Sequence, residues 1–224
     1  MIFKIFSSGY APRDILLNLV AYVFALLTAL ILHEVAHGYV AKLNGDDTAF
    51  LMGRLSLNPL KHLDPIGTIC LLIVGFGWAK PVPVNSNNFR HFRSGLFTVS
   101  IAGIVMNLIL AVFFAGIFWF LSAQIDSIPE ATHEIIWILI EFVVYLSMYS
   151  VMINLMLMIF NLLPVYPLDG FRIVESLAKS GNKYVEFCRR SGSFLTLVVI
   201  LAVNYSGILP TIVTSLAKLL GMPV

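Results

Sequence analysis

One stretch limits the possible folds more than any other. LLNLVAYVFALLTALIL, Leu16 to Leu32, contains no charged side chain and leads straight into His33, Glu34 and His37. With its flanks it runs from Asp14, just after Pro12, to Asn44 and Gly45. A helix of about 20 apolar residues crosses the hydrocarbon core of a bilayer, so the run is a membrane-span candidate. The rest of the chain agrees: of 224 residues, 59% are hydrophobic and 12% charged, and the mean hydropathy is +0.92. A water-soluble domain is excluded. The run is not a cleaved leader either, because it is too long, lacks a small-x-small site at its end and carries ionisable groups in its later half. A net charge of +2, with no cluster of basic residues, excludes a nucleic-acid partner. Cys70 and Cys188 form no ligand spacing and are expected as buried thiols.

Further apolar runs cover Ser94 to Ser122, His133 to Leu163 and Gly192 to Leu216, while Ile66 to Phe76 is short and glycine-punctuated. The expected fold is an all-α polytopic membrane protein of four to five helices, with Ile66 to Phe76 as a re-entrant segment. The loop Ala123 to Thr132 lacks Lys and Arg, whereas Lys80 to Arg93 and Arg172 to Arg190 are basic. Basic loops stay cytosolic, so the first long run ends on the cytosolic side with its histidines near that face. Arg54 to Asn58 and Lys80 to Asn85 alternate with the two-residue period of strands, and Pro81 and Pro83 confine such a strand to an edge. A small β-hairpin near the cytosolic face is expected, able to receive an extended substrate by strand addition. No loop has room for a soluble module, and residues 1–224 are read as one membrane-embedded domain.

Ionisable residues inside a span are costly and functional by default. His33 and His37, at i and i+4, lie one above the other on a helix face with Glu34 between them. This is H-E-x-x-H: two imidazoles one turn apart can bind one zinc ion, and the adjacent carboxylate can act as general base. A catalytic zinc usually takes a third protein ligand and keeps its fourth position open. No further histidine follows before His62. Among the carboxylates Asp169 is placed best, just past the break at Pro164 and Pro167 and at the depth of the histidines. Its alternative role is to cap the segment Gly170 to Ala178.

HEVAH at His33 to His37, followed by NLLPVYPLDG at Asn161 to Gly170, resembles the site-2 protease family of intramembrane zinc metalloproteases. GDDTA from Gly45, GRLSLNP from Gly53, HLDPIGT from His62 and GIVMN from Gly103 resemble its compact prokaryotic branch without PDZ or CBS modules. The resemblance spans about Leu32 to Arg172. It implies one Zn²⁺ per chain held by His33, His37 and Asp169, and Glu34 as base. It also implies cleavage of substrate transmembrane segments near the cytosolic side of a bacterial or archaeal cell membrane. Tyr166 and Phe171 depart from the family pattern, which bears on subsite shape.

The expected partners are the lipid bilayer and single-span or other membrane-protein substrates. A tetrahedral oxyanion needs a donor besides the metal; Asn161 is the first candidate and Asn107 the second. For Asn107 the alternative is an interhelical hydrogen bond beside Gly103. His62 and Asp64 are expected to fix their loop and not to ligate. The rival function is a zinc transporter or a non-catalytic scaffold. A transporter needs further ligands toward the outer face, where Glu141 stands among neutral residues.

Overall fold

The computed structural model describes residues 11–65, 67, 80–129 and 133–223. The helices are α1 (Pro12–Leu43), a single turn α2 (Thr48–Leu51), α3 (Phe92–Gln124), α4 (Glu134–Asn161), α5 (Asp169–Leu177), α6 (Lys183–Tyr205, kinked at Gly192) and α7 (Ile208–Leu219). Three of them, α1, α3 and α4, are long and apolar enough to cross a bilayer.

α1 opens with Pro12 in its first turn, where a missing N–H costs nothing, and carries Asp14 at that end and Lys42 at the other, both favourable to the helix dipole. Its buried stripe includes Asn18, Ala21, Ala25, Ala29, His33, Ala36 and His37. Small side chains at helical spacing let the neighbouring backbones approach closely, which is how helices associate in lipid. Ala25 and Ala29 receive Ile153 of α4, and the Tyr149 hydroxyl donates to Asn18 Oδ1 at 2.8 Å. Low numbers of α1 thus meet low numbers of α4, and the two run parallel. α3 runs antiparallel to α1: Thr98 meets Asn44, Val99 meets His37, and Gly103 meets His33. The outward faces carry Leu16, Phe24, Phe113, Phe120 and Leu139, all exposed, as a lipid-facing surface requires.

The last apolar run, Gly192 to Leu216, is not one straight span. Phe194–Val203 and Ile208–Leu219 meet at 63°, around Gly207, whose φ of 67° is the left-handed conformation that glycine adopts without strain. α7 then packs Leu209, Val213 and Ala217 against Ala111 and Ala115 of α3 and Val151 and Leu155 of α4. The proposed re-entrant segment, Ile66 to Phe76, lies outside the described residues apart from Gly67, as does Cys70; Cys188 is a buried free thiol.

The expected β-hairpin is corrected. Among the described residues there is no sheet, and Arg54 to Asn58, with a bend at Leu55, and Lys80 to Asn85 are irregular chain. Side chains occupy the backbone groups that a ladder would have used. Arg54 Nη2 donates to the carbonyls of Lys80 and Pro81 at 2.8 and 3.2 Å. The N–H of Val82 goes to Glu34 and that of Asn85 to Asp46. Pro81 and Pro83 have no N–H to give.

Candidate metal centre

The site lies where the buried face of α1 meets α3 and the start of α5. His33 and His37 project from successive turns of α1, with their Nε2 atoms 3.0 Å apart. Asp169 Oδ2 stands 3.3 Å from His33 Nε2 and 3.1 Å from His37 Nε2. All three side chains are buried, and among the described residues this is the one group of His, Cys, Asp or Glu able to hold a metal.

Asp169 is the first residue of α5, and the N-cap position before it belongs to Leu168. The Asp169 side chain turns to the histidines instead. The return that brings it there depends on Gly170: a Cβ at this position would lie 2.3 Å from the Leu162 carbonyl oxygen and 2.5 Å from that of Leu163. Only a glycine lets the end of α4 come this close to the start of α5. Gly103 serves α3 in the same way, since a Cβ there would lie 2.5 Å from both His33 Cε1 and His37 Nε2. Tyr166 and Phe171, the departures from the family pattern, pack edge to face at 5.5 Å beside this turn.

The donor set fits zinc. Two imidazole nitrogens and a carboxylate oxygen are ordinary Zn²⁺ ligands, and bonds of about 2.0–2.1 Å in a tetrahedron separate ligand atoms by about 3.3 Å. The observed separations of 3.0 to 3.3 Å match. His37 Nδ1 donates to the Val99 carbonyl at 2.7 Å, which leaves the lone pair on Nε2, facing the other two donors.

Glu34 lies on the adjoining face of α1, where its Oε2 accepts the Val82 N–H at 2.7 Å. Val82 is buried, and its Cγ1 would meet a Cβ placed on Gly38 at 2.8 Å. The segment holding Val82 is tied down at both ends, by Arg54 as above and by Asp46. Asp46 is fully buried and accepts from Asn85 N at 2.7 Å, Asn88 Nδ2 at 2.8 Å, and both the N–H and the hydroxyl of Thr48. Burial raises the Asp46 carboxyl pKa, but these hydrogen bonds outweigh it and leave it below the usual carboxylate value.

Asn161 is the last residue of α4, and its amide donates to the Leu157 carbonyl at 3.1 Å. Asn107 is completely buried on α3, and neither of its carboxamide atoms has a hydrogen-bond partner among the described residues. His62 donates to the Ser56 carbonyl at 2.7 Å while its own carbonyl accepts from Lys80 N, and Asp64 accepts from Gly67 N. Both therefore brace the loop. Glu141 pairs with Arg13 at 3.0 Å, at the end of the bundle remote from the histidines. The backbone groups of Val82 and Val99 escaped the sequence reading, because no residue type signals a carbonyl or an N–H aimed at a site.

The model of peptidase family M50 matches residues 21–203. Over 188 residues the chain is 43% identical to "Putative zinc metalloprotease YwhC" of Bacillus subtilis, an alignment covering 82% of this chain and 81% of that protein. It is 29% identical over 183 residues to "Putative zinc metalloprotease Rip2" of Mycolicibacterium smegmatis, covering 78% of this chain and 64% of the relative. The protein of the same name from Mycobacterium tuberculosis is 28% identical over 153 residues, covering 66% of this chain and 54% of the relative. The chain thus spans most of YwhC and less than two thirds of the Rip2 proteins. No solved structure matches it.

Proposed function

The chain belongs to peptidase family M50, and from that premise we propose that it is an intramembrane zinc metalloprotease that hydrolyses peptide bonds in transmembrane segments of membrane proteins. One observation carries this reading: the three convergent donors of His33, His37 and Asp169 sit at the buried contacts of α1, α3 and α5, with a carboxylate one residue from the first ligand. One zinc ion held there would supply a water of lowered pKa and polarise the scissile carbonyl.

The chain's own residues do the rest. His37 is locked in its tautomer by Val99, so its lone pair points inward. Glu34 takes a proton from the water on the oxygen that Val82 leaves unoccupied, and returns it to the departing amide nitrogen. The Val82 N–H fixes the plane of that carboxylate, and Arg54 and Asp46 fix Val82. Asn161 is the proposed donor to the oxyanion, through the second N–H of the amide nitrogen that already donates to the Leu157 carbonyl. By the asymmetry of the basic loops, the site opens toward the cytosolic side of the cell membrane. Water reaches it from there, since bare lipid supplies none.

The test uses the purified chain in proteoliposomes with a panel of tagged single-span membrane proteins. The wild type cleaves at least one of them, and Glu34→Gln cleaves none while keeping its zinc. Cleavage by the Glu34→Gln variant at the wild-type rate would overturn the assignment.

A further inference from the structure

The two imidazoles differ in one respect. His37 has its outer nitrogen held by Val99, whereas His33 Nδ1 is buried with no hydrogen-bond partner among the described residues. A metal-bound histidine normally donates this second N–H to an acceptor, which fixes the ring and raises its basicity. On the facing helix, Asn107 carries the complementary deficit. It is fully buried, and both its Oδ1 and its Nδ2 lack partners. Buried polar atoms without any partner are rare enough in folded proteins that each calls for a cause.

Helix geometry brings the two together. α1 and α3 are antiparallel, so moving along α3 from Val99 to Gly103 corresponds to moving back along α1 from His37 to His33. Asn107 is the next residue on that face, four beyond Gly103. Side chains in a helix lean toward its N-terminus. Asn107 therefore leans back over Gly103, and His33 leans toward the level of Asn107. Gly103 places no side chain between them: a Cβ there would lie 2.7 Å from His33 Nδ1, the unpartnered atom, so the ring packs directly against α3. On α4, Asn154 is also buried; its Nδ2 is engaged by the Ser150 carbonyl, and its Oδ1 has no partner.

We propose that Asn107 is a positioning residue for His33, its Oδ1 being the acceptor for the His33 Nδ1–H when the metal is bound. This rests on the reading of His33, His37 and Asp169 as zinc ligands. A residue serving only helix packing would alter stability and leave the metal untouched.

The experiment is chelator competition for Zn²⁺ and Co²⁺ on the purified full chain in detergent, together with the visible spectrum of the Co²⁺ form. Asn107→Leu removes the acceptor at similar size and should weaken Zn²⁺ binding about 10- to 100-fold, with an altered Co²⁺ spectrum. Asn107→Asp keeps the acceptor and should hold wild-type affinity. Asn107→Ala adds no bulk and carries the same expectation as the leucine should that variant not fold. In a His33→Ala background, Asn107→Leu should cost nothing further, because the two act as a unit. Wild-type affinity and spectrum in both Asn107→Leu and Asn107→Ala would overturn the proposal while leaving the zinc site standing. So would an equal loss with and without His33. Metal binding unaffected by His33→Ala, His37→Ala and Asp169→Asn would refute the site itself, and this inference with it.

Discussion

Gly103→Ala adds one methyl group to α3, and the structure fixes where it goes. The new carbon would stand 2.5 Å from His33 Cε1, 2.5 Å from His37 Nε2 and 2.7 Å from His33 Nδ1. Carbon atoms in contact settle at about 3.5–4.0 Å, so each ring would have to retreat by about 1 Å. Zinc sites tolerate about 0.2 Å in their ligand distances. The rings cannot both turn aside, since His37 is held at 2.7 Å by Val99 on the same helix as the methyl. Either α1 and α3 separate or an imidazole leaves the site. Overpacking of this kind costs about 1–3 kcal/mol, which lowers the thermal midpoint but leaves a folded protein. Displacing a ligand should weaken zinc binding by more than the roughly 100-fold upper range for outer-shell changes. Gly116→Ala is the control on the same helix, since its Cβ would meet nothing within 4 Å. Zinc affinity and thermal midpoint, measured in detergent for both variants, decide the matter. Wild-type affinity in Gly103→Ala would refute the packing of the two imidazoles against α3.

Gly170→Ala pushes against backbone, the carbonyls of Leu162 and Leu163, so Asp169 should swing away; a folded variant with full zinc occupancy would show that its placement does not depend on that approach. Arg54→Ala releases the Lys80 and Pro81 carbonyls and with them the Val82 N–H on Glu34. Turnover should fall about 10- to 100-fold with zinc content unchanged, and Arg54→Lys, which has no fork, should not restore it. Asp46 has a depressed pKa in the folded chain, so its stabilising effect is complete above the ordinary carboxylate value of about 3.9 and is lost as pH falls through the folded value. Thermal midpoints taken from pH 7 downward should drop more steeply for the wild type than for Asp46→Asn in that acid range, and parallel curves would contradict this.

The sequence made the histidine face readable because i, i+4 spacing places two side chains on one face whatever the tertiary structure. Asp169 was readable by depth, as the residue following a helix broken by prolines. What it could not show was how Asp169 arrives, since that rests on a backbone approach through Gly170. The hairpin misled for a related reason. Alternating side chains look the same in a paired strand and in an extended loop, and only the side chains of Arg54, Glu34 and Asp46, all remote in sequence or from other elements, decide between them. The break between α6 and α7 was hidden within a run whose mean hydropathy stays high across Asn204, Ser206 and Gly207. Family and membrane character could be read early, because the first rests on local motifs and the second on composition.

X-ray absorption at the zinc edge of the purified chain tests the centre of this account most directly. Two imidazole nitrogens and carboxylate or water oxygen at about 2.0–2.2 Å, with no sulfur, are predicted, and Asp169→Ala should change the oxygen shell. A sulfur shell near 2.3 Å, or a spectrum indifferent to both His37→Ala and Asp169→Ala, would contradict it.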